Sequence, residues 1–400
     1  MKSVLVILEK RGTFGGAELA TCLLLRALAE AGLRVTVLSG YGREELPGVQ
    51  GVEVLRCPYL DVPSKPVLWV NLRKLQNTIE KLVVRHDVTY IPRISYSAIP
   101  IAKRKDRTVI VHLHDYQPLT YCAGVIDGDF VDRFGIAGDV ISSLRFESRE
   151  GQTMGRALAS SIFTPFNWFS RAWVEEADHV ICVSRKHSEI MRAALPELDG
   201  KLVYIYNPIP DISPMQKKLG ELTFLYAGGQ SRAKGFEILL KASESFLRRG
   251  HQGKFIIAGP LDRGADIAIA SLNRRFHGFF TALGEMRRSA FLNLHSTSHS
   301  LVFPSQSQEP LPYAVVEAML CGTIPIASEV GGVPEMVRGT FAEQLLFKAD
   351  STDQCADRLE VISSMSEEEI LEIGRALRSH TLRMFSPEAT VGKFVDLLSA

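Results

Sequence analysis

Short runs of consecutive apolar residues recur along the first half of the chain: VLVIL at 4–8, RVTVL at 34–38, GVEVL at 51–55, DVTYI at 87–91, TVIVHL at 108–113 and HVICVS at 179–184. Runs that are apolar on both faces belong in a sheet covered on both sides, the usual state of a parallel sheet with helical crossovers. Residues 16–31 carry a helical pattern that ends at Gly32, a suitable C-cap, so strand, glycine turn, helix and strand form one βαβ unit. At 207–214 the text becomes NPIPDISP, with three prolines in eight residues, which stiffens the chain and forbids a continuing helix. The alternation then restarts with LTFLYA at 222–227, KFIIAG at 254–259, LVFPS at 301–305, TIPIAS at 323–328 and EQLLF at 343–347. Ser366 and Glu369 form a capping box, and Ser386-Pro387 opens a last helix over 387–399.

The expected fold is therefore α/β, with two Rossmann-like domains, each built on a parallel sheet. The N-terminal domain is expected over 1–206 and the second over 207–386. The 400 residues and the hydrophobic fraction of 46% suffice for two cores. Residues 115–150 lack sustained periodicity and read as a long functional loop.

Forty-six Lys plus Arg against 45 Asp plus Glu give a formal charge of +1, so no global field marks a nucleic-acid binder, and none is expected as a partner. The six cysteines make no CxxC pair and read as reduced, packed thiols. Only five apolar residues in a row precede the returning charge at the N-terminus, too few for a signal segment or a membrane span. A cytoplasmic protein is expected, soluble or attached peripherally to the inner face of a membrane. Leu68, Leu72, Leu75, Ile79 and Leu82 make a core-facing stripe, while Lys74, Lys81 and Arg85 share another face: by default a solvated face, in the sharper reading a contact for anionic headgroups.

The most informative segment is EPLPYAVVEAMLCGTIPIAS, in which Glu309 and Glu317 are separated by seven residues and followed by a buried strand. Pro312 suits the first turn of a helix. Glu309 then lies on the preceding loop, with Glu317 about 7.5 Å further along the axis. The free N–H groups between them suit an anion, and a diphosphate there would have one carboxylate near each end. Acidic residues serving the macrodipole are the plainer reading of this motif alone. His114 ends the TVIVHLH strand, where ligand crevices lie in open α/β sheets, and His112 shares its face.

These stretches together resemble family 4 of the retaining glycosyltransferases, the glycosyl transferases group 1 set with the GT-B fold. The resemblance implies that the two parallel sheets face each other across a cleft and that the C-terminal helix 387–400 crosses back to join the N-terminal domain. The likeness runs through GGAE at 15–18, HLHD at 112–115, ADHVICVS at 177–184, AGGQSRAKG at 227–235, IIAGP at 256–260, FHG at 276–278, residues 303–328 and GGVPEMV at 331–337. It implies a hexosyltransferase that draws on a nucleotide diphosphate sugar, works without bound metal or other cofactor, and serves a glycan or lipid-linked acceptor, as in polysaccharide biosynthesis. By the resemblance, Glu309 contacts hydroxyls of the transferred sugar, Glu317 the ribose, and the amides from Tyr313 onward the phosphates. Leu311 and Ala314 fall in the same donor-binding run, and Gly15 and Gly16 bring backbone to the cleft. Lys234 matches the diphosphate lysine, and His114 the histidine near the reacting carbon.

The chain departs from the family at Gly229, where an arginine is usual, and at Pro312, where many relatives have glycine. Arg232 is the expected replacement cation, with a solvated loop charge as the alternative. A retired, non-catalytic scaffold and a GT-B epimerase are the rival readings, whereas a nicotinamide dehydrogenase lacks its GxGxxG. Asp127-Gly128-Asp129 imitates a DxD metal motif but falls in the irregular loop, and His295 with His299 has no third ligand, so no metal site is expected.

Overall fold

The computed structural model describes residues 2–9, 15–40, 51–62, 64–121, 123–126 and 166–399, with positions 140, 141, 144, 147 and 163 between the last two stretches. The Asp127-Gly128-Asp129 motif, Cys122 and most of the 115–150 loop lie outside the described residues.

Seven strands form the first sheet: β1 Ser3–Leu8, β2 Arg34–Ser39, β3 Val52–Arg56, β4 Val88–Ile91, β5 Thr108–Leu113, β6 His179–Cys182 and β7 Leu202–Tyr204, in the order β3-β2-β1-β4-β5-β6-β7. Six form the second: β8 Thr223–Ala227, β9 Lys254–Ala258, β10 Phe280–Gly284, β11 Ser300–Phe303, β12 Ile324–Ser328 and β13 Leu346–Phe347, in the order β10-β9-β8-β11-β12-β13. Every pairing is parallel, as fully apolar runs require. The pattern missed β7 and β10, both edge strands. β7 pairs over only three residues of the apolar run LVYIY at 202–206, directly before the proline-rich segment, and only Phe280 of β10 is buried, so β10 shows no continuous apolar run. EQLLF also differs from expectation: Phe341–Leu345 turns as a 3-10 helix, leaving only Leu346 and Phe347 to pair with β12.

Alternate residues of β1 serve opposite faces of the first sheet. Val4, Val6 and Leu8 pack with Leu24, Leu25 and Leu28 of the helix Gly16–Glu30, while Leu5 and Ile7 join Leu68, Leu72 and Ile79. The latter stripe spans two helices, Lys65–Lys74 and Gln76–Val83, because the chain bends at Leu75. At the C-terminus a π-turn over Glu388–Gly392 leads into the helix Lys393–Ser399, which lies on the first sheet: Phe394 meets the Tyr90 ring edge-on at 5.3 Å, and Lys2 Nζ donates to Leu398 O at 2.7 Å.

The proline-rich connection is pinned to the back of the second sheet. Lys217 Nζ donates to His295 O, Ser298 O and the Thr323 hydroxyl at 2.6–2.8 Å, which satisfies all three ammonium hydrogens. Burial draws that ammonium down to about 8. Arg378 donates to Ile212 O at 2.7 Å from the helix Glu367–Met384, which the capping box of Ser366 and Glu369 opens.

In each sheet the strand order reverses once, between β1 and β4 and between β8 and β11. Loops leaving the carboxyl ends of strands at such a point diverge and open a crevice. Among the described residues, no helix is long and apolar enough to cross a membrane.

Candidate active site

The two crevices face each other and share one cavity of about 1640 Å³. Gly15, Gly16, His114 and Asp115 line it from the first half, and Lys234, Glu309, Tyr313, Ala314 and Glu317 from the second.

Glu309 stands on the loop after β11, and glycine geometry holds that loop. Gly332 N–H donates to Glu309 O at 2.9 Å and Gly331 N–H to Gln308 Oε1 at 2.7 Å. Gly331 has φ +51, and a Cβ there would lie 1.9 Å from Glu309 O, so no side chain fits. From the other half, Val125 O accepts Gln308 N–H at 2.7 Å, and Ile126 bridges Ser307 antiparallel. Lys234 stands before the helix Phe236–Arg248 at Gly235, whose φ is +80 and whose Cβ would sit 1.8 Å from Pro304 O. The lysine Nζ reaches Glu309 Oε1 at 2.5 Å, and Ser305 Oγ lies 3.4 Å from the same oxygen.

The helix Tyr313–Leu320 begins one residue after Pro312, which is its extended cap (φ −74, ψ 113). The N–H that proline lacks thus lies outside the helix. Val315 N–H turns back to Pro312 O at 3.1 Å, whereas the Tyr313 and Ala314 amides have no protein acceptor among the described residues. Gly16 leaves room for the Tyr313 ring, whose Cδ2 would be 3.3 Å from a Cβ, and the Tyr313 hydroxyl donates to Pro208 O at 2.6 Å. Leu311 is packed in the second core and does not line the cavity. Glu317 is 5% exposed; Arg288 Nε donates to its Oε1 at 2.7 Å, while Nη2 lies 2.6 Å from the same oxygen without hydrogen-bond geometry. Burial pushes this carboxyl up and the guanidinium draws it back.

His114 follows β5, with its ring 4.2 Å from that of His112. Asn207 Nδ2 lies 3.4 Å from Nδ1, and Nε2 has no protein partner among the described residues. Burial, then the nearby His112, Arg93 and His187, hold the imidazole well below its usual range, so it is neutral at pH 7. Behind Gly15, Arg93 pairs with Glu9 at 2.7 Å and with Glu18. The Glu18 carboxylate folds over Gly15, where a Cβ would come 2.4 Å from Oε2. Burial also raises the carboxyls of Glu9 and Asp115.

Arg232 stands apart from these groups. Its guanidinium pairs with Glu237 at 3.0 Å on the surface, both side chains are more than half exposed, and the residue does not line the cavity. Gly229 has a geometric cause: with φ +56, a Cβ there would lie 2.3 Å from Pro260 O, and Gly228 and Gly229 both donate to Ala258 O. No arginine fits that turn. Among the described residues, the other Lys or Arg side chains that line the cavity besides Lys234 are Arg287 and Arg288, which the sequence pattern did not single out. The only local signal was an Arg-Arg pair just past β10, a strand that was itself missed.

His295 and His299 turn to different partners, Thr323 Oγ1 at 3.0 Å and Thr223 N–H at 3.1 Å. Among the described residues no three His, Cys, Asp or Glu side chains are grouped to hold a metal.

A family profile described as Glycosyltransferase Family 4 matches residues 14–211, and one described as Glycosyl transferases group 1 matches residues 211–375. The gpi3 subunit of phosphatidylinositol N-acetylglucosaminyltransferase from Schizosaccharomyces pombe is 26% identical over 211 residues, 51% of this chain and 44% of that one. The alpha-maltose-1-phosphate synthase of Mycolicibacterium smegmatis is 27% identical over 244 residues, 55% of this chain and 62% of that one. The chain thus spans about half the length of the relatives it matches. Among solved structures, a sucrose-phosphate synthase from Thermosynechococcus elongatus superposes with a TM-score of 0.70 at 18% identity, covering 100% of this chain and 98% of that one. Anabaena HepE, in complex with UDP and glucose, does so at 0.65 and 17%, with 99% of each covered. These two likenesses concern the fold.

Proposed function

The chain belongs to the group 1 glycosyltransferases of GT-B fold, and we propose that it moves a hexose-type sugar, with retention of configuration, from a nucleotide diphosphate to a hydroxyl of a glycan or lipid-linked glycan. The observation that carries this reading is the convergence on one cavity of two free helix-start amides, the Lys234–Glu309 pair, the buried Glu317 and the neutral His114. UDP in a protein of the same fold supports a nucleotide donor.

In this reading the amides of Tyr313 and Ala314 and the ammonium of Lys234 bind the donor diphosphate. As the glycosidic bond breaks, charge builds on the leaving phosphate, and preorganised donors stabilise it without reorganising. Glu309 orients Lys234 and accepts from sugar hydroxyls. His114 donates from Nε2 to the transferred sugar. The acceptor hydroxyl attacks from the face the diphosphate leaves, giving its proton to the departing phosphate oxygen, so no protein nucleophile and no metal is needed. Residues 1–206 with the C-terminal helix form the acceptor domain, and 207–386 the donor domain. The exposed Lys74, Lys81 and Arg85 lie on the acceptor side and suit a peripheral contact with the inner face of a membrane.

The test is incubation with a panel of nucleotide sugars under chelator, following the anomeric proton of the product by NMR. Transfer or hydrolysis with the donor's anomeric configuration kept is expected. An inverted anomer, or turnover that appears only with manganese, would overturn the mechanism.

A further inference from the structure

Ile110 and His112 in β5, and His114 just past its end, fall on one face of the first sheet, the face on which the helix Lys393–Ser399 lies. Beneath His114 that face is closely packed: Tyr90 of β4, His112 and Phe394 are each no more than 2% exposed. The Tyr90 hydroxyl and His112 Nδ1 share a hydrogen bond of 2.8 Å. Phe394 closes on both, meeting the Tyr90 ring edge-on at 5.3 Å and the His112 ring at 5.9 Å. The His112 ring in turn lies 4.2 Å from that of His114, inclined to it by 35°. The contact of His114 with Asn207 is long, 3.4 Å, and holds the ring weakly. The last torsion of a histidine has broad wells, so such a ring takes its angle from what it packs on.

We propose that His112, locked by Tyr90 and Phe394, is the positioning residue for His114: it is the platform that sets the angle at which the His114 imidazole meets the transferred sugar. A group that touches the reacting sugar keeps its geometry only where the residues behind it are fixed by packing and hydrogen bonds, and Tyr90 supplies the bond while Phe394 supplies the packing. Burial keeps the Tyr90 phenol protonated and the His112 imidazole uncharged at pH 7, so the lock is a neutral hydrogen bond. The platform then places no positive charge beneath a carbon that becomes electron-poor as the glycosidic bond breaks. Phe394 belongs to the last helix, which the chain reaches only after Glu367–Met384 in the second half. The segment that joins the halves therefore contributes a side chain to the support of His114. The inference rests on His114 meeting the transferred sugar and adds to it what holds the ring there.

The experiment joins initial rates to ring signals. Tyr90→Phe removes the hydroxyl and keeps the ring, and Phe394→Leu removes the edge contact and keeps most of the volume. Both are compared with wild type and with His114→Ala, and thermal unfolding checks that each variant is folded. With a nucleotide sugar that turns over, each is expected to lower kcat roughly threefold to thirtyfold, as a small misplacement near the reacting atoms does. The donor KM and the affinity for the nucleoside diphosphate should stay within about twofold, because the second half binds the donor. In the His114→Ala background Tyr90→Phe should cost nothing further, since it acts only through that histidine. In histidine-labelled protein the His114 ring signal, assigned by its loss in His114→Ala, should shift or broaden on Tyr90→Phe and on Phe394→Leu. Equal losses from Tyr90→Phe with and without His114 overturn the inference while leaving the nucleotide-sugar reading intact, because the lock would then serve the fold alone. An unchanged kcat, or an unchanged His114 ring signal, in both single variants overturns it as well. Wild-type turnover in His114→Ala removes the placement of His114 at the sugar and the inference with it. Absence of turnover with every nucleotide sugar overturns the functional reading and the inference together.

Discussion

At the scale of single residues, geometry separates two cations that lie two positions apart. Lys234 lines the cavity and is held at 2.5 Å by Glu309, whereas Arg232 faces solvent and pairs with Glu237. A charge-assisted bond to a leaving phosphate contributes about 1.5–3 kcal/mol, or roughly tenfold to a hundredfold in rate. Lys234→Ala is therefore expected to lower the initial transfer rate by that factor at saturating donor. Arg232→Ala should stay within about twofold, as an exposed ion pair contributes little. A severe Arg232→Ala with a mild Lys234→Ala would reverse the assignment. Of the residues that line the cavity, Glu309 and Glu317 were marked by their spacing, His114 by its strand end and Lys234 by the family resemblance. Arg288 was not, because an arginine after an unrecognised edge strand has no pattern to stand out from.

At the scale of elements, the two halves meet through a helix cap supplied in trans. Glu335, in the short helix Val333–Val337, accepts the N–H groups of Arg185 at 3.1 Å and Lys186 at 2.6 Å, at the start of the helix Arg185–Ala194, and the Tyr206 hydroxyl at 2.9 Å. Ser184 caps the same helix from within, accepting from His187 N–H at 3.2 Å. A carboxylate at a helix N-terminus satisfies orphan amides and complements the dipole, for about 1 kcal/mol. Glu335→Ala should lower stability by about 1–2 kcal/mol, read as an earlier urea midpoint at an unchanged slope. Because the bonds join elements on either side of the cavity, the same variant should also raise KM for the acceptor. A midpoint equal to wild type would show that this contact does not hold the halves together. The glycine turns are element-scale facts too: Gly229, Gly235 and Gly331 each sit at positive φ against a carbonyl of another loop, so the loops that carry Lys234 and Glu309 pack closer than any side chain allows.

For the molecule as a whole, several histidines are buried uncharged. Burial holds His112, His187 and His295 down at about 3. His187 is fully buried, with Nδ1 taking the Val183 N–H at 3.3 Å and Nε2 lying 3.2 Å from Asp115 O, roles that only the neutral ring fills together. A depressed folded pKa means that the unfolded chain binds the proton first. The stability these rings allow is complete above pH 6.5 and is lost as pH falls from 6.5 toward about 3. At pH 5 the loss is roughly 2 kcal/mol per ring. The raised carboxyls of Glu9, Asp115 and Glu317 act with the opposite sign, because the folded state then takes up protons first, so one variant isolates the histidine contribution. His187→Gln, which can fill both hydrogen-bond roles without titrating, should show a smaller fall in Tm between pH 7 and pH 5 than wild type; parallel curves would contradict this. The sequence by itself determined the βαβ alternation, the two parallel sheets, the proline-rich break in regular structure, the capping box at Ser366 and the Glu309 to Glu317 spacing, because each follows from the period of a local backbone or from the chemistry of adjacent residues. Only the tertiary structure decided that Arg232 faces Glu237, that Arg288 meets Glu317, that Glu335 caps a helix 150 residues away and that Gly229 admits no side chain. Those contacts depend on strand order and on how closely loops approach, quantities set by packing the whole chain, and no local periodicity encodes them.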